Sequence, residues 1–203
     1  MPTREQQRTA TRTRILDTAT HLLVERGYAG LSTVAVQEAA GLSRGALLHH
    51  FPTIHTLIAA LVEHLVQLNE LAAREAAETI GASADPVDRT LTALLETMTR
   101  PPAQAELELW AAARTDPALA TVLRDSERRA GRDLDRVIDT LFGQEITTHS
   151  RYPAIRDLTI AMLRGVTAAR PLRTSAQTEA RTIHYWADTI RTLLTTDAAV
   201  DSR

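Results

Sequence analysis

The residues best equipped for chemistry crowd into one stretch, Leu31 to Thr53, where Arg44, His49 and His50 stand among the hydroxyls of Ser32, Thr33, Ser43 and Thr53. Arginine and hydroxyl side chains donate to phosphate oxygens, and arginine can also read a guanine edge through two parallel hydrogen bonds. Gly45 offers backbone without a side chain, and Leu48 only an apolar contact, for instance to a thymine methyl. Catalysis has less material. The chain has no cysteine, which removes thiol nucleophiles and disulfides. His49 and His50 are neighbours and cannot both face one ion from a helix, so no metal is expected there. His64 falls on one helical segment and Glu106 and Arg114 on another, and they would make an all-α enzyme only with a geometry that spacing cannot supply. No phosphate loop or metal motif is present, and no cofactor is expected.

The segment that must position these groups reads LSTVAVQEAAGLSRGALLHHFPT. Ser32 or Thr33 can cap a first short helix, in which Val36 and Ala40 share a face. Gly41 can take positive φ at its end, and Leu42 buries a side chain between the helices. Ser43 caps a second helix with Ala46, Leu47, His50 and Phe51 inward and Arg44, Gly45, Leu48 and His49 outward. Pro52 ends it. Two short helices crossing through a glycine turn describe a helix-turn-helix, whose second helix can lie in a major groove. The same spacing also occurs in helical proteins where it serves packing alone.

Gly27, Tyr28, Thr33, Ala40, Gly41, Ser43, Arg44, Gly45, Leu47, His49, His50, Phe51 and Pro52 together resemble the N-terminal motif of the TetR family of transcriptional regulators. The resemblance implies a helical DNA-binding domain, a helical ligand-binding and dimerisation domain, and transcriptional control released by a small molecule. Three positions depart from the family pattern. Leu48 stands where a phosphate-contacting tyrosine is usual, Ile54 where a lysine is usual, and Gln37 where a small alanine lets the helices approach. Loss of two phosphate donors keeps a helical binding or adaptor protein without specific DNA affinity as an alternative.

Length and composition frame these readings. At 203 residues the chain can form one large helical domain or two small ones, and the absence of β-branched runs points to an all-α fold. The expected division is 1–52, a three-helix helix-turn-helix domain, and 53–203, a helical effector-binding and dimerisation domain, with about nine helices in total. Through residue 55, six arginines face four acids, a balance of +2, whereas the remaining seventeen arginines face twenty-one acids, a balance of −4. That split puts positive potential on the candidate DNA end. Every basic side chain other than histidine is arginine, a bias too uniform to locate a function. The polar N-terminus and the lack of a long apolar run give neither a signal peptide nor a membrane span, so a cytoplasmic protein with no membrane partner is expected.

Along the chain, residues 1 to about 8 are expected to be mobile, with Arg4 and Arg8 either an arm for a DNA backbone or a tail without function. Thr9 to Arg26 carries Ile15, Leu16, Ala19, Leu22 and Leu23 at helical spacing, stopped by Gly27. Thr53 restarts a helix with Leu57, Ile58, Leu61, Leu65, Leu68 and Leu71 that can run to Gly81, a lever between the two domains. His64 lies on its apolar side, where histidines are more often satisfied core residues than ligand contacts. Asp85-Pro86 and Asp116-Pro117 each read as an N-cap followed by proline at the first helical position, and Pro101-Pro102 opens the helix between them. His64, Met98, Trp110, Arg114 and Ser126 are the candidates for an effector pocket, Ser126 and Glu127 forming a polar gap in the apolar face that runs from Leu119 through Ala130 and Leu134 to Leu141. Arg124, Arg128, Arg129, Arg132 and Arg136 interleave with Asp125, Asp133, Asp135 and Asp139 as a solvent-facing ion-pair surface along the same helix.

Gly143 to Arg151 reads as a polar connection. Two final helices follow, the second opened by Thr174 and Gln177 as a capping box, and the tail after Thr195 is expected to fray. They can pack within one subunit or pair with a second copy as an isologous four-helix bundle. The resemblance favours the homodimer, with Leu158, Met162, Gly165, Val166, Ile183, Trp186, Ile190 and Leu193 as its interface. A duplex operator and an unidentified effector complete the expected partners.

Overall fold

A computed structural model describes residues 3–81, 85–172 and 175–196, with side chains throughout except at 127 and 129–134. Thr174, the tail beyond 196 and the side chains of Glu127, Arg129, Ala130, Arg132, Asp133 and Leu134 thus lie outside the described residues. The fold is all-α. Ten helices are present among the described residues: α1 Arg4–Arg26, α2 Thr33–Ala39, α3 Arg44–His50, α4 Ile54–Ile80, α5 Pro86–Met98, α6 Pro101–Ala113, α7 Pro117–Phe142, α8 Gln144–Thr147, α9 Tyr152–Ala169 and α10 Ala176–Thr196. Single 3₁₀ turns follow α1 and α9.

Local chemistry sets most boundaries. Asp85 accepts hydrogen bonds from the amides of Val87 and Asp88, and Asp116 accepts from Leu119, so both Asp-Pro pairs start helices. Gly27, Gly81 and Gly143 take positive φ just beyond the ends of α1, α4 and α7. Two regions differ from the sequence expectation. Thr3 and Gln6 exchange side-chain and backbone hydrogen bonds of 2.8 and 3.2 Å, a capping box that starts α1 at Arg4 and puts Arg4 and Arg8 on a helix rather than a mobile arm. Within the expected connection from Gly143 to Arg151, a single turn, α8, tucks Ile146 against the protein; four residues are too few for periodicity to reveal.

Packing divides the chain into two compact units. The first comprises Met1–Leu68 and Pro101–Gly131, the second Asn69–Arg100 and Arg132–Arg203. In the first, α1 lies along α6 and α2, and Ile15, Leu23, Leu47, Phe51, Leu61 and Leu109 form a core with almost no exposed surface. Recruitment of α6 and the start of α7 into this unit is a long-range result that no local pattern foretells. In the second, α5 packs on α9 and α10. Arg191 of α10 binds Asp85 at 3.1 Å and Asp88 at 2.6 Å, fastening it to the start of α5. Asp135 and Asp139, expected in an ion-pair surface along α7, turn instead to Arg156 of α9, at 3.5 and 3.7 Å. The Tyr152 hydroxyl also donates to Asp139. Burial first, then this hydrogen bond and the charge of Asp139, raise the Tyr152 pKa far above the ordinary phenol value.

The turn between α2 and α3 allows a sharp test. Gly41 has φ +63°, its amide donates to Glu38 and the Leu42 amide reaches back to Gln37, each at 3.1 Å. This pair of bonds is the Schellman arrangement, which needs a residue in the left-handed region. Gly45 sits one turn later in an ordinary helix, and a Cβ at either position meets no atom within 4 Å. Gly41→Ala should therefore lower unfolding free energy by about 1–2 kcal/mol, and Gly45→Ala should raise it by roughly 0.5–1 kcal/mol, read from denaturant titration of the helical signal.

Candidate nucleic-acid interface

α2 and α3 are held from below and free above. Ser32 caps α2 by accepting from the Ala35 amide at 3.0 Å, and Ser43 caps α3 by accepting from Ala46 at 3.2 Å. Thr33 is the first residue of α2 and is half-buried. The inner face of α3 is Leu47 with the following Phe51, each 1% exposed, flanked by half-buried Ala46 and His50. Arg44, Gly45, Leu48 and His49 face solvent. The axis bends by 62° between α3 and α4 across Pro52. Thr53 then caps α4, accepting from the Thr56 amide at 3.1 Å while its own amide donates to the Thr56 hydroxyl. Each capping serine uses a lone pair for the helix and keeps its O–H proton available to an outside acceptor.

Arginines cluster on and beside this surface. Arg4, Arg8, Arg12 and Arg44 are exposed, and none meets a carboxylate among the described residues. Arg100, Arg156, Arg170 and Arg191 of the second unit each do. The Arg12 guanidinium carbon lies 4.6 Å from the centre of the Phe51 ring, a cation–π contact that ties α1 to the end of α3. His49 and His50 meet edge to face at 5.7 Å between ring centres. Burial, then the charges of His49, Arg8 and Arg12, hold the His50 pKa below the usual imidazole value, so its ring is neutral at neutral pH.

The sequence of residues 15–61, from the buried half of α1 into α4, matches the family model described as bacterial regulatory proteins, tetR family. An uncharacterised HTH-type transcriptional regulator of Mycobacterium tuberculosis is 29% identical over 170 residues, 83% of this chain and 86% of that protein. CymR, an HTH-type transcriptional regulator of Pseudomonas putida, is 34% identical over 109 residues, 54% of each chain. Over residues 15–61 the chain is thus similar to the TetR family of transcriptional regulators. The fold is shared with a solved structure. The multidrug binding protein EbrR, crystallised with proflavin, superposes at a TM-score of 0.57 with 22% identity, covering 90% of this chain and 99% of that one.

The candidates outside the helix-turn-helix scatter. In the first unit, half-buried His64 places Nε2 2.8 Å from the exposed Asp17 Oδ1, joining α4 to α1. A recess of about 470 Å³ opens between α6 and α7, lined by Trp110, Ala113, Ala120, Leu123, Arg124 and Arg128. Of the five effector-pocket candidates only Trp110 lines it; Ser126 is 1% exposed on α7, Arg114 faces solvent at the end of α6, and Met98 belongs to the second unit. Arg124 and Arg128, four residues apart, were legible only as part of a charged surface. Arg124 in fact bonds to its own helix and to Thr121 and meets no carboxylate among the described residues.

The proposed interface residues of α9 and α10 fall into three groups. Val166 and Ile190 are buried within the unit, and the Trp186 ring N–H donates to the Thr159 hydroxyl at 2.9 Å. Leu158, at 52%, and Gly165 are exposed, and Met162, Ile183, Trp186 and Leu193 are half-buried. Tyr185 and Leu172 are also exposed and were not among the candidates.

The His50 environment is directly measurable. Proton NMR of the imidazoles should show His50 titrating below the ordinary value of about 6.5. Replacing Arg8 and Arg12 with glutamine should move that midpoint up, but only part of the way, because burial is the larger cause. An unmoved midpoint would separate the two arginines from α3.

Proposed function

We propose that the protein is a homodimeric, ligand-responsive DNA-binding regulator, acting as a repressor that a small molecule releases from its operator. The observation that carries this reading is the outer face of α3. A glycine inside a helix costs stability and leaves Gly45 bare where no neighbouring atom requires it. An exposed arginine without a carboxylate partner among the described residues precedes it, and hydroxyl caps stand at the starts of α2, α3 and α4. Such a face suits close approach of a duplex: Arg44 toward a base edge, Leu48 toward a methyl, and Ser32, Thr33, Ser43, His49, His50 and Thr53 toward the backbone. Repression, rather than activation, follows the family resemblance.

A second copy is supported by α9, whose outward side is Leu158, Ala161, Gly165 and Ala168. A helix face of small residues permits another helix to approach closely, and Gly165, like Gly45, has open space where its side chain would be. Two subunits joined through α9 and α10 would offer their α3 helices about 34–36 Å apart, one turn of duplex. The α6–α7 recess is a fitting size for an effector, since small-molecule pockets run from about 300 to 1,000 Å³. A ligand that favoured a different spacing of the two α3 helices would lower operator affinity by shifting the population. EbrR, with its bound proflavin, supports ligand response by analogy. No single helix among the described residues is long and apolar enough to cross a membrane, and action on DNA fits the cytoplasm.

Fluorescence anisotropy on the duplex preceding its own reading frame tests the assignment. Arg44→Ala should reduce the preference for that duplex over unrelated sequence by about 1–3 kcal/mol. Ser43→Ala should weaken both evenly, and Gly45→Ala should bind less tightly despite its more stable fold. Parent-like binding by Arg44→Ala and Ser43→Ala together would refute the site.

A further inference from the structure

Phosphate contacts dominate the affinity of proteins for duplexes, yet the outer face of α3 supplies one permanent cation, Arg44, beside uncharged Leu48 and, at the start of α4, Ile54. The missing charge lies on α1. Arg4, Arg8 and Arg12 recur every fourth residue, which aligns them along one side of the helix. All three are exposed and none meets a carboxylate among the described residues. The row works against its own helix, because like charges four apart repel and cations near a helix N-terminus oppose the dipole. Folding gives a reason only for Arg12, through its contact with Phe51.

The position of the row supplies another. Arg12 stacks over Phe51, the residue that ends α3, at 4.6 Å, and Arg8 and Arg12 both act on the imidazole of His50, the last residue of that helix. The capping box of Thr3 and Gln6 fixes the first turn, so the three guanidiniums are displayed on a helix instead of trailing on a tail. We propose that Arg8 and Arg12, with Arg4 one turn further on, form a second phosphate-binding site that clasps the duplex backbone beside the recognition helix and carries no sequence information. This rests on the reading of α3 as a duplex-binding helix.

Salt dependence separates the two. Dissociation constants of the full-length protein are measured from about 50 to 200 mM salt, the range over which phosphate contacts dominate the response. The probes are the labelled duplex preceding its own reading frame and a labelled duplex of unrelated sequence. On both, R8Q and R12Q should each flatten the logarithmic salt slope by about 0.9, one released counterion per lost contact, leaving the ratio between duplexes unchanged. R8K and R12K keep the charge and should keep the slope, which guards against a loss of folding when the Arg12 stack is broken. A double R8Q/R12Q variant with the parent's slope, or lysine variants as flat as the glutamine ones, would overturn the proposal. A parent that discriminates between the duplexes upholds α3 whatever α1 does. A parent that binds neither defeats both readings.

Discussion

A helix of seven residues cannot sustain itself in water, so α3 exists because Leu47 and Phe51 are pinned in a core built largely by other elements. Isolated helices shorter than about 12–15 residues are marginal, and the two hydroxyl caps and the glycine turn improve the odds only locally. What makes α3 rigid is the layer beneath it, from α1, α2, α4 and α6. Anchoring through one face leaves the other uncommitted. Arg44, Gly45, Leu48 and His49 owe nothing to folding, and that independence allows them to be selected for what they touch.

Charge follows the same division of labour. In the second unit, guanidiniums knit helices together: Arg191 joins α10 to α5, Arg156 joins α9 to α7, and Arg170 pairs with Glu179. On α1 and α3 the arginines are left without carboxylates among the described residues. An unpaired surface cation adds little to stability and carries a cloud of counterions that a polyanion can displace. The contrast between neutralised and available arginines is thus a stronger functional signal than the small charge difference between the two parts of the chain.

Much of the helix-turn-helix was legible because its determinants are local. Ser43, Gly41 and Pro52 act on their immediate neighbours, and the inward and outward faces of α3 follow from spacing alone. The start of α1 was missed although Thr3 and Gln6 form a recognisable capping box, since Arg-rich termini resemble tails. His64 and Asp17 lie 47 positions apart in sequence yet meet at 2.8 Å, and Asp139 meets Arg156 of another helix. Such pairings depend on which helices pack together. The α6–α7 recess was opaque for that reason too, because a cavity is defined by side chains that fail to meet, and periodicity only describes those that do.

Twofold presentation of α3 to one duplex is the claim on which the whole account turns, and enrichment of bound sequences from a randomised duplex pool measures it most directly. The account predicts a palindromic site whose half-sites are centred about 10–10.5 base pairs apart or a whole multiple of that spacing. Enrichment of a single asymmetric site, or no enrichment at all, would contradict it.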